Sequence, residues 1–88
     1  MSAPIHVEIY SRPGCHLCDD AKEVVERVRR RHPFMLSVIN IETDPGLEAA
    51  YGMEIPVVTI NGNKAFKYRV DEAEFERKVK RLWNQKIS

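Results

Sequence analysis

Much is scarce in this 88-residue chain, and each shortage closes off a class of protein. Cysteine occurs only twice, too rarely for the several-bridge framework that staples small secreted domains. No apolar run approaches the ~20 residues that a membrane-spanning helix requires. The opening Met1-Ser2-Ala3-Pro4 leads into a strand carrying His6 and Glu8, not into the apolar segment of a signal peptide. A soluble cytoplasmic protein without a membrane partner is expected. Charge of neither sign dominates, since 14 lysines and arginines against 13 aspartates and glutamates leave a formal net charge of +1. That balance lacks the electrostatic footprint of a nucleic-acid-binding protein. Repeats, linkers and low-complexity segments are absent as well, so residues 1–88 read as one domain with a modest core and a single site.

What is present is concentrated in one place. The two cysteines stand three apart in Cys15-His16-Leu17-Cys18, after the apolar alternation of Ile5, Val7 and Ile9 and a Pro13-Gly14 turn, and before a helical pattern. A reducing compartment does not maintain ordinary structural disulfides, so such a pair points to catalysis, redox sensing or metal binding. The helix should run from about Cys15 to Arg31, with Leu17, Ala21, Val24, Val25 and Val28 recurring on one side and Asp20, Lys22, Glu23, Glu26 and Arg29 falling largely elsewhere. Pro33 stops it. The run Arg29-Arg30-Arg31-His32 sets positive charge against the terminal carbonyls and reads as a solvated helix end.

Met35 to Glu42 is expected to form a second strand, apolar enough to be covered by helices on both faces of the sheet. Asp44-Pro45 is a helix cap followed by proline at the first helical position, and Leu47, Ala50, Tyr51 and Gly52 describe a helix of barely two turns. A strand over Ile55–Ile60, the hairpin dipeptide Asn61-Gly62 and a strand over Ala65–Arg69 follow. Asp71 and Glu74 then open a last helix that buries Phe75, Val79, Leu82 and Trp83, down to about residue 85. The order strand-helix-strand-helix-strand-strand-helix makes an α/β fold. A crossover sets the first two strands parallel, and the hairpin sets the last two antiparallel, in a four-stranded mixed sheet with helices on both faces.

Together these marks resemble the thioredoxin-like fold, and within it the small glutaredoxin-like proteins. The resemblance covers nearly the whole chain and rests on Tyr10-Ser11-Arg12-Pro13-Gly14-Cys15-His16-Leu17-Cys18 and on Ile55-Pro56-Val57-Val58. It implies a cis peptide bond between Ile55 and Pro56, lying against the cysteine pair. It also implies that Arg12 matches a basic residue that can meet the glycyl carboxylate of glutathione, and that Asp71 caps the helix near the other end of that tripeptide. Glutaredoxins usually carry Cys-Pro-Tyr-Cys and a pair of glycines before the last helix. Here His16-Leu17 and Lys67-Tyr68-Arg69-Val70 stand in those places, which implies a weaker hold on glutathione.

Disulfide exchange needs an attacking thiolate and a second thiol to release the partner. Cys15, at the mouth of the helix, would have its anion held by unpaired backbone N–H groups and by Arg12 or His16, and is the expected nucleophile. Cys18, one turn further in, is the expected resolving thiol. His16 is either such a neighbour or merely an exposed residue of the first turn, and Arg69 has no evident structural task. The expected activity is therefore that of a dithiol oxidoreductase acting on protein or glutathione disulfides, with a thiol reductant or reductase to restore it. It would act as a monomer, with no tightly bound cofactor and glutathione at most as co-substrate. Two other readings stay open: a metal or iron–sulfur module, which needs ligands beyond Cys15 and Cys18, and a redox-responsive adaptor.

Overall fold

Side chains at Val7, Ile9 and Ser11 are buried while those at His6, Glu8 and Tyr10 are half-buried, which is the period of two expected of strand β1 (His6–Ser11) with one face on a core. The structure, a computed structural model, describes residues 5–87, with side chains described through Asn84. The Met1-Ser2-Ala3-Pro4 opening lies outside the described residues. After β1 come α1 (His16–Arg31), β2 (Met35–Asn40), a 3-10 turn over Ile41–Thr43, α2 (Pro45–Tyr51), β3 (Val57–Ile60), β4 (Asn63–Lys67) and α3 (Glu72–Ile87). The sheet order is β2-β1-β3-β4, with β1 and β2 parallel and the other two pairings antiparallel.

One face of this sheet carries the core. Val7 and Ile9 of β1 and Val58 and Ile60 of β3 pack with Val25 and Val28 of α1 and with Phe75 and Val79 of α3. Phe75 is fully buried and meets Phe34 and Phe66 edge to face, with ring centroids 5.8 and 6.1 Å away. At the surface the same two helices are clasped by Arg27 and Arg31 on Glu72 and by Arg31 and His32 on Glu76, at 2.9–3.1 Å. The opposite face is covered only in part by α2, whose Tyr51 stacks on Tyr10 at 4.4 Å between centroids. Helices thus lie on both faces, unequally.

Local chemistry sets the boundaries, and some differ from those the sequence predicts. The second strand ends at Asn40, not Glu42, because the Asn40 side chain accepts the Glu42 N–H at 2.9 Å and Thr43 Oγ1 donates to the Asn40 carbonyl, bonds that turn the chain into the 3-10 segment. Nor is β2 buried on both faces. It is an edge strand, and Met35 and Val38 are 52% and 47% exposed. Leu17 also leaves the expected apolar stripe: the residues of α1 that seal onto the sheet are Cys18, Ala21, Val25 and Val28, and Leu17 sits on the flank of that face. The third strand begins at Val57, after the proline, and β4 begins at once after the two-residue turn, in which Asn61 and Gly62 take φ of 52° and 85°. β4 stops at Lys67 because Tyr68, at φ 69°, bends the chain away. Gly52 is required for a different reason from the left-handed cap that glycine often supplies. Its backbone is right-handed, but a β-carbon there would stand 2.5 Å from the Glu48 carbonyl oxygen.

Phe75→Ala would empty the centre of the aromatic cluster. It should lower unfolding free energy by about 3–5 kcal/mol, a large share of the ~5–15 kcal/mol typical of a folded domain. Chemical denaturation of the two proteins checks it.

Candidate active site

The chain leaves β1 at Ser11, crosses Arg12-Pro13-Gly14, and enters α1 with Cys15 as the capping residue, in extended conformation at φ −95° and ψ 110°. The Cys15 sulfur takes the role that a serine or aspartate oxygen has at other helix starts, accepting the Cys18 N–H at 3.2 Å. The Cys15 carbonyl accepts the Asp19 N–H at 3.1 Å. Cys15 is half-buried at the positive end of a 16-residue helix, while Cys18, one turn on, is 1% exposed. Burial first, and then the adjoining Cys15 side chain, push the Cys18 thiol up to about 12, with a backbone hydrogen bond from Arg12 offsetting part of the rise. Both cysteines are free thiols.

Arg12 folds back on α2, where its guanidinium pairs with Glu48. Its Nε is buried without a hydrogen-bond partner. Arg12 also lines, with Ser11, Cys18, Lys22, Val38 and Asn40, a cavity of about 220 Å³ between the start of α1 and the end of β2. The basic residue before the pair is therefore close to Cys18 and already engaged by a carboxylate of its own chain.

The Ile55–Pro56 bond is cis. The Pro56 carbonyl accepts the Tyr68 N–H at 2.9 Å, and the Glu54 carbonyl takes the same N–H at 3.3 Å, which ties the proline turn to the segment that follows β4. That segment faces α1: Tyr68, Arg69 and Val70 line a groove of about 210 Å³ with Leu17, Asp20, Ala21 and Val24. His16 is exposed at the first position of α1. Asp71 is held by a structural task, its Oδ1 accepting the Glu74 N–H at 3.0 Å at the start of α3. The residues singled out in the sequence thus divide into Arg12 on the β2 side of the cysteines, Arg69 on the groove side with the Ile55–Pro56 turn hydrogen-bonded behind it, and Asp71 occupied in capping. Tyr68 was missed because nothing in its residue type signals a left-handed backbone. Helical spacing alone sets Leu17 on the core stripe, and its place between the cysteines is the signal that it stands at the site.

Among the described residues no group of three or more His, Cys, Asp or Glu side chains is placed to hold a metal ion, and no helix is long and apolar enough to cross a membrane.

Comparison with known proteins agrees with this frame. The sequence profile of the "Glutaredoxin-like domain (DUF836)" family matches residues 6–80. A glutaredoxin-like protein of Dictyostelium discoideum is 28% identical over 89 aligned positions, covering 94% of this chain and 82% of its own. A thioredoxin of Methanocaldococcus jannaschii is 35% identical over 65, covering 70% of this chain and 76% of its own. A protein of X. campestris, known from an X-ray structure, superposes with a TM-score of 0.71 at 27% identity, over 84% of this chain and 95% of that one. The fold is thioredoxin-like.

Since folding raises the Cys18 thiol from its ordinary 9.0 to about 12, its contribution to stability is complete below pH 9.0 and is lost as pH rises toward about 12. The denaturant midpoint of the reduced protein should therefore fall more steeply across that window than the midpoint of Cys18→Ala. Parallel curves for the two proteins would show that burial imposes no such shift.

Proposed function

The chain belongs to the glutaredoxin-like domain family, and from that premise we propose that it is a thiol–disulfide oxidoreductase using Cys15 and Cys18 as a dithiol. The observation that carries this reading is the asymmetry of the two sulfurs: Cys15 half-buried at a helix start and accepting a backbone N–H, Cys18 sealed one turn behind it. An attacking sulfur must be reachable, and a resolving sulfur must be near it yet shielded from other partners.

The reaction runs in two exchanges. The Cys15 thiolate attacks one sulfur of a substrate disulfide; that S–S bond breaks, the departing sulfur leaves as a thiolate and takes up a proton, and a mixed disulfide joins Cys15 to the substrate. Cys18 then gives up its proton and attacks the Cys15 sulfur, the mixed disulfide breaks, and the second substrate thiol is released. Two electrons have passed from the protein to the substrate, and Cys15–Cys18 is left as a disulfide. An external thiol, glutathione or the dithiol of a reductase, returns the two electrons. A helix start suits the first step, because it leaves the Cys15 sulfur half-exposed with a backbone N–H directed at it. The raised Cys18 thiol suits the second, because a resolving group that stays protonated until the mixed disulfide forms does not compete for the first attack.

The assigned partners are disulfide-bearing proteins or glutathione disulfides, met by a monomer in the cytoplasm with no resident cofactor. For glutathione itself the hold is weak: Arg12 is already paired with Glu48, and Asp71 with the backbone of α3. Arg12→Ala should thus lower glutathione-dependent turnover by at most about fivefold, the range of an exposed charge pair of ~0.2–1 kcal/mol. Steady-state kinetics on a small mixed disulfide measures it.

Mass spectrometry tests the dithiol directly. Wild type treated with a small disulfide should end two hydrogens lighter and resistant to alkylation, whereas Cys18→Ser should accumulate the mixed disulfide on Cys15. Full alkylation of both thiols after the treatment, with no adduct on the variant, would sink the reading.

A further inference from the structure

The groove beside the cysteine pair is walled by side chains from two elements. Leu17, 37% exposed, and Tyr68, 45% exposed, face it together with Ala21, Val24 and Val70, and its rim carries Asp20 on the helix side and Arg69 on the strand side. Its volume of about 210 Å³ falls below the ~300–1,000 Å³ of sites that enclose a whole small ligand. It has room for one large side chain of something bigger.

Tyr68 bears on what that is. Its φ of 69° is a conformation that a residue with a β-carbon adopts only at a cost. The cost is sustained by the hydrogen bond from its N–H to the Pro56 carbonyl at 2.9 Å. Residues kept in such conformations cluster at ligand clamps, where the surrounding structure over-determines them. The effect here is to stand an aromatic ring, with Lys67 Nζ 5.7 Å from its centroid, at the edge of the groove. The ion pairs among the described residues engage Arg12, Arg27, Arg29, Arg31, Lys64 and Lys67 and leave out Arg69, the one basic residue that lines this groove.

We propose, resting on the dithiol reading above, that this slot seats an apolar side chain adjoining the half-cystine of a disulfide-bearing polypeptide, and that Arg69 receives a carboxylate from the same segment. The apolar walls select the side chain. Charge sets the direction of the segment, since Asp20 on the opposite rim repels a carboxylate and Arg69 attracts it. The preferred substrate class is then a protein disulfide flanked by apolar and acidic residues. A tripeptide anchored mainly through its ends leaves the apolar slot unfilled.

Three disulfides separate the possibilities: the symmetrical disulfides of a peptide in which cysteine is followed by leucine and glutamate, of its counterpart with lysine for glutamate, and bis(2-hydroxyethyl) disulfide. Wild type should prefer the glutamate peptide over the lysine peptide by up to about fivefold in kcat/KM, and Arg69→Glu should reverse that order. Leu17→Ser should lower the ratio of peptide to bis(2-hydroxyethyl) disulfide turnover by about tenfold. Tyr68→Gly, which suits the positive φ and so folds without strain, should lower the same ratio in the same direction. An unchanged peptide order in Arg69→Glu, with unchanged ratios in Leu17→Ser and Tyr68→Gly, overturns the slot while leaving the dithiol intact. Failure of wild type to reduce bis(2-hydroxyethyl) disulfide at all removes the dithiol premise and this proposal with it.

Discussion

The seating of α1 on the sheet is the constraint from which the rest of the site follows. Val25 and Val28 are fully buried against Val7, Ile9 and Val58, and this packing fixes the rotation of the helix about its axis. With that rotation set, Cys18 must point inward and Cys15 must sit at the mouth, because residues three apart on a helix differ by only one turn in height and a small angle in direction. The same rotation puts Leu17 on the flank, where it meets Tyr68 and Val70 instead of the sheet. A rotation of one residue, about 100°, would bury Leu17 and expose the thiol of Cys18. Apolar packing far from the sulfurs thus decides which sulfur meets a partner.

Holding α1 in place falls to several weak devices and one strong one. The aromatic cluster of Phe34, Phe66 and Phe75 is the strong one, since it links α3 to the sheet through a fully buried ring. Arg27, Arg31 and His32 reaching Glu72 and Glu76 add a network across the outer surfaces of the two helices. Such exposed pairs contribute little one by one. They also account for part of the basic run at the end of α1, with Arg29 donating to the Phe34 carbonyl at 3.0 Å. These are intramolecular tasks.

The other face of the sheet is built more thinly. α2 has seven residues, caps one end of the face through Tyr51 on Tyr10, and anchors Arg12 through Glu48. Arg12 is thereby held by α2 beside the cavity that it lines with Cys18. The groove on the far side of α1 is shaped by Tyr68 and the proline turn behind it. The two sides of the cysteine pair therefore differ in chemistry: one polar, with Arg12 already paired, the other walled by apolar side chains with Asp20 on one rim and Arg69 on the other.

The sequence by itself determined the elements and their order, because each rests on short-range rules. Alternation marked β1, the 3.6-residue stripe marked α1 and α3, Asp44-Pro45 opened α2, and Asn61-Gly62 specified a two-residue hairpin whose φ values only such residues accept readily. The cysteine pair was legible for the same reason, being a local pattern with a recognisable context, and the cis proline followed from the family resemblance that the pattern supports. What only the tertiary structure decided was everything that depends on which surfaces are left over after packing. The apolar run of β2 read as a buried strand, yet the sheet order placed it at an edge, where half of Val38 faces outward. Arg12 read as a free basic group, yet α2 brought it Glu48 from 36 residues away. Tyr68 read as an ordinary strand residue, yet hydrogen bonds to the Glu54 and Pro56 carbonyls hold it in a conformation its own side chain disfavours. Spacing and residue type encode a helix face or a turn, but a partner distant in sequence is encoded only in the sum of the packing that delivers it.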